Sequence, residues 1–169
     1  MSTESTDLLG AVVVGVGATL FMDLWAVFLK HTFGFAAPNY RWVGRWISHM
    51  PEGTFRHASI AAAAQTRSEF AVGWIVHYGV GAVYALAHVA LVSGNWLARP
   101  TLLPALAFGV GSVPVPFLVM QPAFGLGVAS SRAPNPKEAR LRSLMAHTAF
   151  GVGLYVCAVG VSCVIWVRV

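Results

Sequence analysis

Residues 8–29 read LLGAVVVGVGATLFMDLWAVFL, a run with a single ionisable side chain, Asp23. An α-helix rises about 1.5 Å per residue and needs roughly 20 apolar residues to cross a ~30 Å hydrocarbon layer, so this stretch predicts a membrane-spanning helix. A carboxylate at that depth is costly unless it is paired or wetted, which makes Asp23 a candidate working residue. A secretory signal would have a basic front end and a shorter apolar region. Here the leader MSTESTD is acidic and the run is long, so the stretch reads as a retained helix.

Three further apolar stretches of spanning length follow at Phe70–Val92, Leu102–Val128 and Leu144–Val167. The 169 residues are 57% hydrophobic and 10% charged, too little charge to cover the surface of a soluble domain. The expected fold is all-α: a polytopic membrane protein forming one domain over 1–169, with helices at about 8–30, 70–92, 102–128 and 137–167. Cys157 and Cys163 stand six apart on the last of these, on different faces, which suits packing better than a disulfide or a metal pair.

Basic residues sort by side. Lys30, Arg41, Arg45, Arg56 and Arg67 lie between the first two spans, and Arg132, Lys137, Arg140 and Arg142 between the last two, against Arg99 and Arg168 on the other face. Lys and Arg beside spans are retained in the cytoplasm, so the expectation is that both connecting loops are cytoplasmic and both termini lie on the opposite side of the membrane. The formal charge of +5 then belongs to the anionic inner leaflet, and no nucleic-acid partner is expected.

The first cytoplasmic segment is too apolar for a linker. From Asn39 to Met50, Arg41, Arg45 and His49 recur on one helical face and Val43, Trp46, Ile47 and Met50 on another, with Asn39 placed to cap. This predicts an interfacial helix over about 39–50, with Arg41, Trp42, Arg45 and Trp46 at the membrane surface. Ala-rich residues 59–65 suggest a second one. Pro104, Pro114, Pro116 and Pro122 interrupt the third span, where each removes a backbone donor. A kink or break is expected there, with Pro114, Pro116 and Pro122 as a hinge and with carbonyls freed between 114 and 121. Asn135 followed by Pro136 reads as the cap and first residue of the last helix.

Gly-Val-Gly occurs at 15–17, 79–81, 109–111 and 151–153, once in each span, and predicts tight helix crossings. HYGVG at 77 and HTAFG at 147 give each half of the chain a His-x-x-x-Gly helix, the pattern a parallel duplication would leave.

Counting inward from the cytoplasmic ends places Asp23, His77, Gln121 and His147 at similar depths, roughly 7–14 Å inside. Small and polar residues line up with them: Ala11, Gly15, Thr19 and Asp23 on the first span; Gly73, His77, Gly81, Tyr84 and His88 on the second; Ser143, His147, Gly151 and Ser162 on the fourth. An acid and two imidazoles change charge at modest cost near neutral pH, so the four residues form a candidate proton- or ion-binding set for transport of a small solute or ion. Asp23, His77 and His147 also suit a divalent metal, and two facing histidines could hold a haem, either giving a redox or enzymatic role. Polar pairs that only fix helix register, in a membrane scaffold or assembly factor, are the third reading. Soluble-enzyme motifs are absent: there is no phosphate-binding loop, nucleophile elbow or CxxC pair. The expected partners are the lipid bilayer, a small solute or ion, and a second copy of the chain.

The segments GATLFMDLW, NYRWVGRW, FRH, HYGVG, RPTLLPAL, MQP and NPKEARLRSL, followed by AHTAFGVGLY, resemble a bacterial family of small four-helix inner-membrane proteins of unknown function. The resemblance spans nearly the whole chain and implies the membrane fold without an activity. Its motif-like positions include Asp23, Arg41, Arg45, His57, His77, Gln121 and His147.

Overall fold

The computed structural model describes residues 3–92 and 95–166, with side chains over 8–92 and 95–163. The regular elements among the described residues are helices, chiefly α1 (Thr3–Phe33), α2 (Tyr40–His49), α3 (Glu69–Val92), α4 (Leu102–Gly111), α5 (Gln121–Ala123) and α6 (Pro136–Trp166). Four stretches are long and apolar enough to cross a membrane: Leu8–Phe33, Glu69–Val92, Leu102–Ala123 and Pro136–Cys163. The all-α reading and the helix between the first two spans therefore hold. The expected end of the last helix at Val167, and Arg168, lie outside the described residues.

The third span ends at Ala123, short of the expected Val128, and it is broken. α4 stops at Gly111, and after a turn the backbone winds as a π-helix over Pro116–Met120, where Gln121 N donates to Pro116 O, before α5. Proline is the cause: residues 114, 116 and 122 have no N–H to return to the preceding turn. Beyond Ala123 the chain turns at Gly125 and Gly127, both at positive φ. The second Ala-rich interfacial helix does not form. Residues 59–63 make turns instead, with Ala62 N and Ala63 N both donating to Ser59 O and neighbouring carbonyls turned to Arg45.

Both predicted caps form. Asn39 Oδ1 accepts from Arg41 N at 3.2 Å. Asn135 Oδ1 accepts from Glu138 N at 3.4 Å, while its amide donates back to Glu138 Oε2 at 3.0 Å.

The chain divides into two compact units. One comprises Met1–Phe35, Tyr78–Gly111 and Ala146–Val169; the other comprises Ala36–His77 and Ser112–Met145.

The first unit packs on small residues. Ala11, Val14, Ala18, Ala85, Ala105 and Leu154 are fully enclosed, with Trp96 and Phe150 closing the core. A Cβ on Gly15 would lie 2.5 Å from Gly81 O, and one on Gly109 would lie 2.7 Å from Gly151 Cα. The Gly-Val-Gly runs thus bring α1 against α3 and α4 against α6 at backbone contact, as small residues do between helices in lipid. Large apolar side chains such as Leu91 and Leu103, each 76% exposed, point outward, where lipid tails would cover them.

The second unit is built around Ile60, Ala123 and Phe124, with Trp42, Trp46 and Met120 packed on them. Phe124 meets both indoles edge-on, at 6.5 and 5.8 Å between ring centroids.

Candidate functional site

In the first unit, α1 presents Thr19 and Asp23 one turn apart. Thr19 is buried and returns its hydroxyl to Gly15 O at 2.8 Å. Asp23, one turn further on, is half-buried. Its Oδ2 accepts a hydrogen bond from the Tyr78 hydroxyl of α3 at 3.1 Å. A phenol is a suitable partner for a carboxylate in apolar surroundings because it donates without adding a charge. The sequence reading passed over Tyr78, although it stands beside His77 in the HYGVG motif.

His147, on α6, hydrogen-bonds through its ring to the backbone of Gly109. Gly109 lies in the last turn of α4, where carbonyls lack the donors of a following turn. The end of α4 therefore supplies an acceptor for an imidazole N–H, upstream of the 114–121 stretch expected to do so. His88 is fully buried between Trp96, at 4.3 Å and perpendicular, and Phe108, at 5.1 Å. Neither of its ring nitrogens has a hydrogen-bond partner.

In the second unit, His77 lies under the Tyr40 ring, stacked at 3.9 Å between centroids, with Trp74 edge-on at 5.9 Å. Gln121 is 5% exposed and donates its amide to Ser143 Oγ at 3.3 Å, while its Oε1 is buried without a partner. Among the four residues chosen from the sequence, Asp23 and His147 belong to the first unit and His77 and Gln121 to the second. Each engages a group within its own unit.

The second unit also holds a charge network that the sequence reading did not assemble. Arg45, expected at the headgroups, is 4% exposed and turned inward. Its Nε and Nη2 donate to the Glu69 carboxylate at 2.7 and 3.2 Å, and its Nη1 donates to Ile60 O, Ala61 O and Ala63 O at 2.8 to 3.3 Å. The Glu69 hydrogen bond holds the Arg45 pKa above its ordinary value, against the opposing effect of burial. Such a pair survives burial because every charged edge is occupied. Gly44 makes room for it: a Cβ there would run into the Glu69 carbonyl. Arg41, by contrast, is more than half exposed, lies 3.6 Å from Glu69 and sits over the Phe70 ring at 5.1 Å. The signal in the sequence that could have found Glu69 is an acid opening an apolar helix one loop after a basic amphipathic one.

His49 and His57 form a second pair, with Nδ1 and Nε2 2.9 Å apart. Burial holds the His57 pKa below the usual imidazole value, with His49 and Arg45 adding to the effect and the Ala123 backbone opposing it.

Among the described residues, no group of three or more His, Cys, Asp or Glu side chains is arranged to hold a metal ion. Cys157 and Cys163 are free thiols. The molecule is thus a helical, membrane-type protein with buried polar and charged groups in both units. No curated protein and no solved structure matches the chain. Residues 12–161 match the family described as "Protein of unknown function (DUF2938)", and the chain belongs to that family.

Proposed function

We propose that this protein is a bacterial inner-membrane carrier that couples the passage of a small solute or ion to protons or cations, with Asp23 as its switchable charge. The observation that carries the reading is the Asp23–Tyr78 hydrogen bond, a carboxylate held by a neutral donor within a membrane span. The phenol donates to the carboxylate without adding a charge of its own, which leaves Asp23 suited to exchange a proton or cation with the path.

We assign proton-accepting or cation-binding roles to His147 in the first unit and to His77 in the second, where the unpartnered Gln121 oxygen offers a neutral ligand to a cation or protonated group. The broken third span supplies carbonyls and a hinge, as discontinuous helices do in carriers. The loops face the cytoplasm and the termini the periplasm, following the distribution of Lys and Arg. Four spans make a narrow carrier by themselves, so the working form is a homodimer.

Proteoliposomes loaded with a pH-sensitive dye test the reading. An imposed potential drives dye acidification faster than in empty liposomes if protons pass, and replacing the external cation changes the rate if a cation is coupled. Traces identical to those of empty liposomes under every cation would remove the proposal.

A further inference from the structure

Residues 53–60 have no helix of their own, yet they are held at every turn. Thr54 N donates to His49 O at 3.2 Å and the Trp46 indole to Phe55 O at 2.9 Å. On the other side, His57 N and Ile60 N donate to the carbonyls of Ala123 and Phe124 at 2.8 and 3.0 Å. Ile60 then inserts its side chain into the core and its carbonyl into the Arg45 guanidinium. The segment straps α2 to α5. Through its ionisable side chains the segment meets α2 at His49 Nδ1 and His57 Nε2.

That contact has a defined proton requirement. One facing nitrogen must carry a hydrogen and the other a lone pair, so the bond exists while at least one imidazole is neutral. Once both rings are protonated, two N–H groups and two positive charges face each other 2.9 Å apart. We propose that the His49–His57 pair is an acid-sensitive latch: protonation of both rings releases the 53–60 strap, withdraws the Ile60 carbonyl from Arg45 and loosens the ion pair that anchors the start of α3.

Burial and the facing His49 disfavour the second proton more strongly than the Ala123 backbone favours it. Arg45 of α2 is the cation that bears on His57, and its own charge is already matched by Glu69 of α3. α5 contains no ionisable residue, while Glu52 and Arg56, flanking the pair along the chain, are exposed. His57 therefore binds its proton less readily in the docked strap than in the released one. Docking is at full strength above the ordinary imidazole value of about 6.5 and weakens as pH falls below it, by up to about tenfold per pH unit. The latch stands on geometry within one unit; its use, gating the path in response to acid on the loop side, rests on the proposed function.

Hydrogen–deuterium exchange of peptides covering 53–60, in detergent micelles at pH 7.5 and 5.5 and corrected for intrinsic rates, tests the latch. Protection in the wild type is expected to fall up to about tenfold at the lower pH. In His57→Gln, which keeps a hydrogen-bonding side chain without a titrating charge, it stays flat. Protection in the wild type that is unchanged between the two pH values overturns the proposal, as does an acid-induced loss equally large in His57→Gln. Should His57→Gln fail to fold, His49→Gln gives the same comparison from the other ring. Flux plays no part in this readout, so the latch and the transport reading fail separately.

Discussion

The Arg45 guanidinium grips the Glu69 carboxylate with two nitrogens, Nε on Oε2 at 2.7 Å and Nη2 on Oε1 at 3.2 Å, with both side chains almost fully enclosed. It ties the amphipathic α2 to the first residue of α3. The remaining Arg45 donor, Nη1, is taken by backbone carbonyls of the connecting segment. Desolvation is thus offset on both partners, and the pair is sensitive to losing either one.

Removing one partner leaves a buried, uncompensated charge. Arg45→Ala or Glu69→Leu is expected to destabilise the protein by about 3–5 kcal/mol, and the double replacement Arg45→Met with Glu69→Leu to cost much less than either single change. Thermal unfolding in detergent measures this. Single variants that unfold with the wild type would show that the pair is not buried as described.

Glycines at helix crossings should be intolerant in a position-specific way. Gly109→Ala places a methyl against the backbone of α6 and is expected to cost about 1–3 kcal/mol. Gly111→Ala, two residues on with open space around it, should be neutral or stabilising by up to about 1 kcal/mol. Equal unfolding temperatures for the two variants would contradict the crossing.

Much of this was legible in the sequence because lipid imposes a strict code. Spans announce themselves by length and apolarity, the Gly-Val-Gly runs by spacing, and Asn39 and Asn135 by the chemistry of helix caps. The break near Gln121 followed from proline. What the sequence concealed were pairings between distant elements. Arg45 looks identical on a helical wheel whether it faces headgroups or Glu69, and the choice was made by Gly44, which lets α2 reach the α3 backbone. Tyr78 was hidden by its neighbour His77, since a phenol in an apolar span reads as packing. Residues 59–65 have good helix propensity, but their carbonyls bind Arg45 more usefully than they bind one another.

Gln121 separates stability from function. Gln121→Leu removes a buried amide whose oxygen has no partner, so it should leave unfolding unchanged or raise the unfolding temperature while reducing ion or solute passage. A variant that is destabilised yet fully active would place Gln121 in packing alone.

Orientation can be read with thiol reagents on a background in which Cys157 and Cys163 are replaced by Ala. Ser59→Cys, in the segment between α2 and α3, should react with a membrane-impermeant maleimide only in inverted vesicles, and Asn95→Cys only in intact cells. The opposite pattern would reverse the assignment of loops to the cytoplasm.

The most direct test of the central claim is proton or cation flux through proteoliposomes containing Asp23→Asn, compared with the wild type at equal incorporation. Asparagine keeps the shape and the hydrogen bond from Tyr78 while removing the titrating charge. The account predicts that the variant folds with wild-type stability and that its coupled flux is lost, with Tyr78→Phe retaining a reduced rate. Wild-type flux through a well-folded Asp23→Asn protein would contradict it, leaving the Asp23–Tyr78 pair as a device that only sets the packing of α1 against α3.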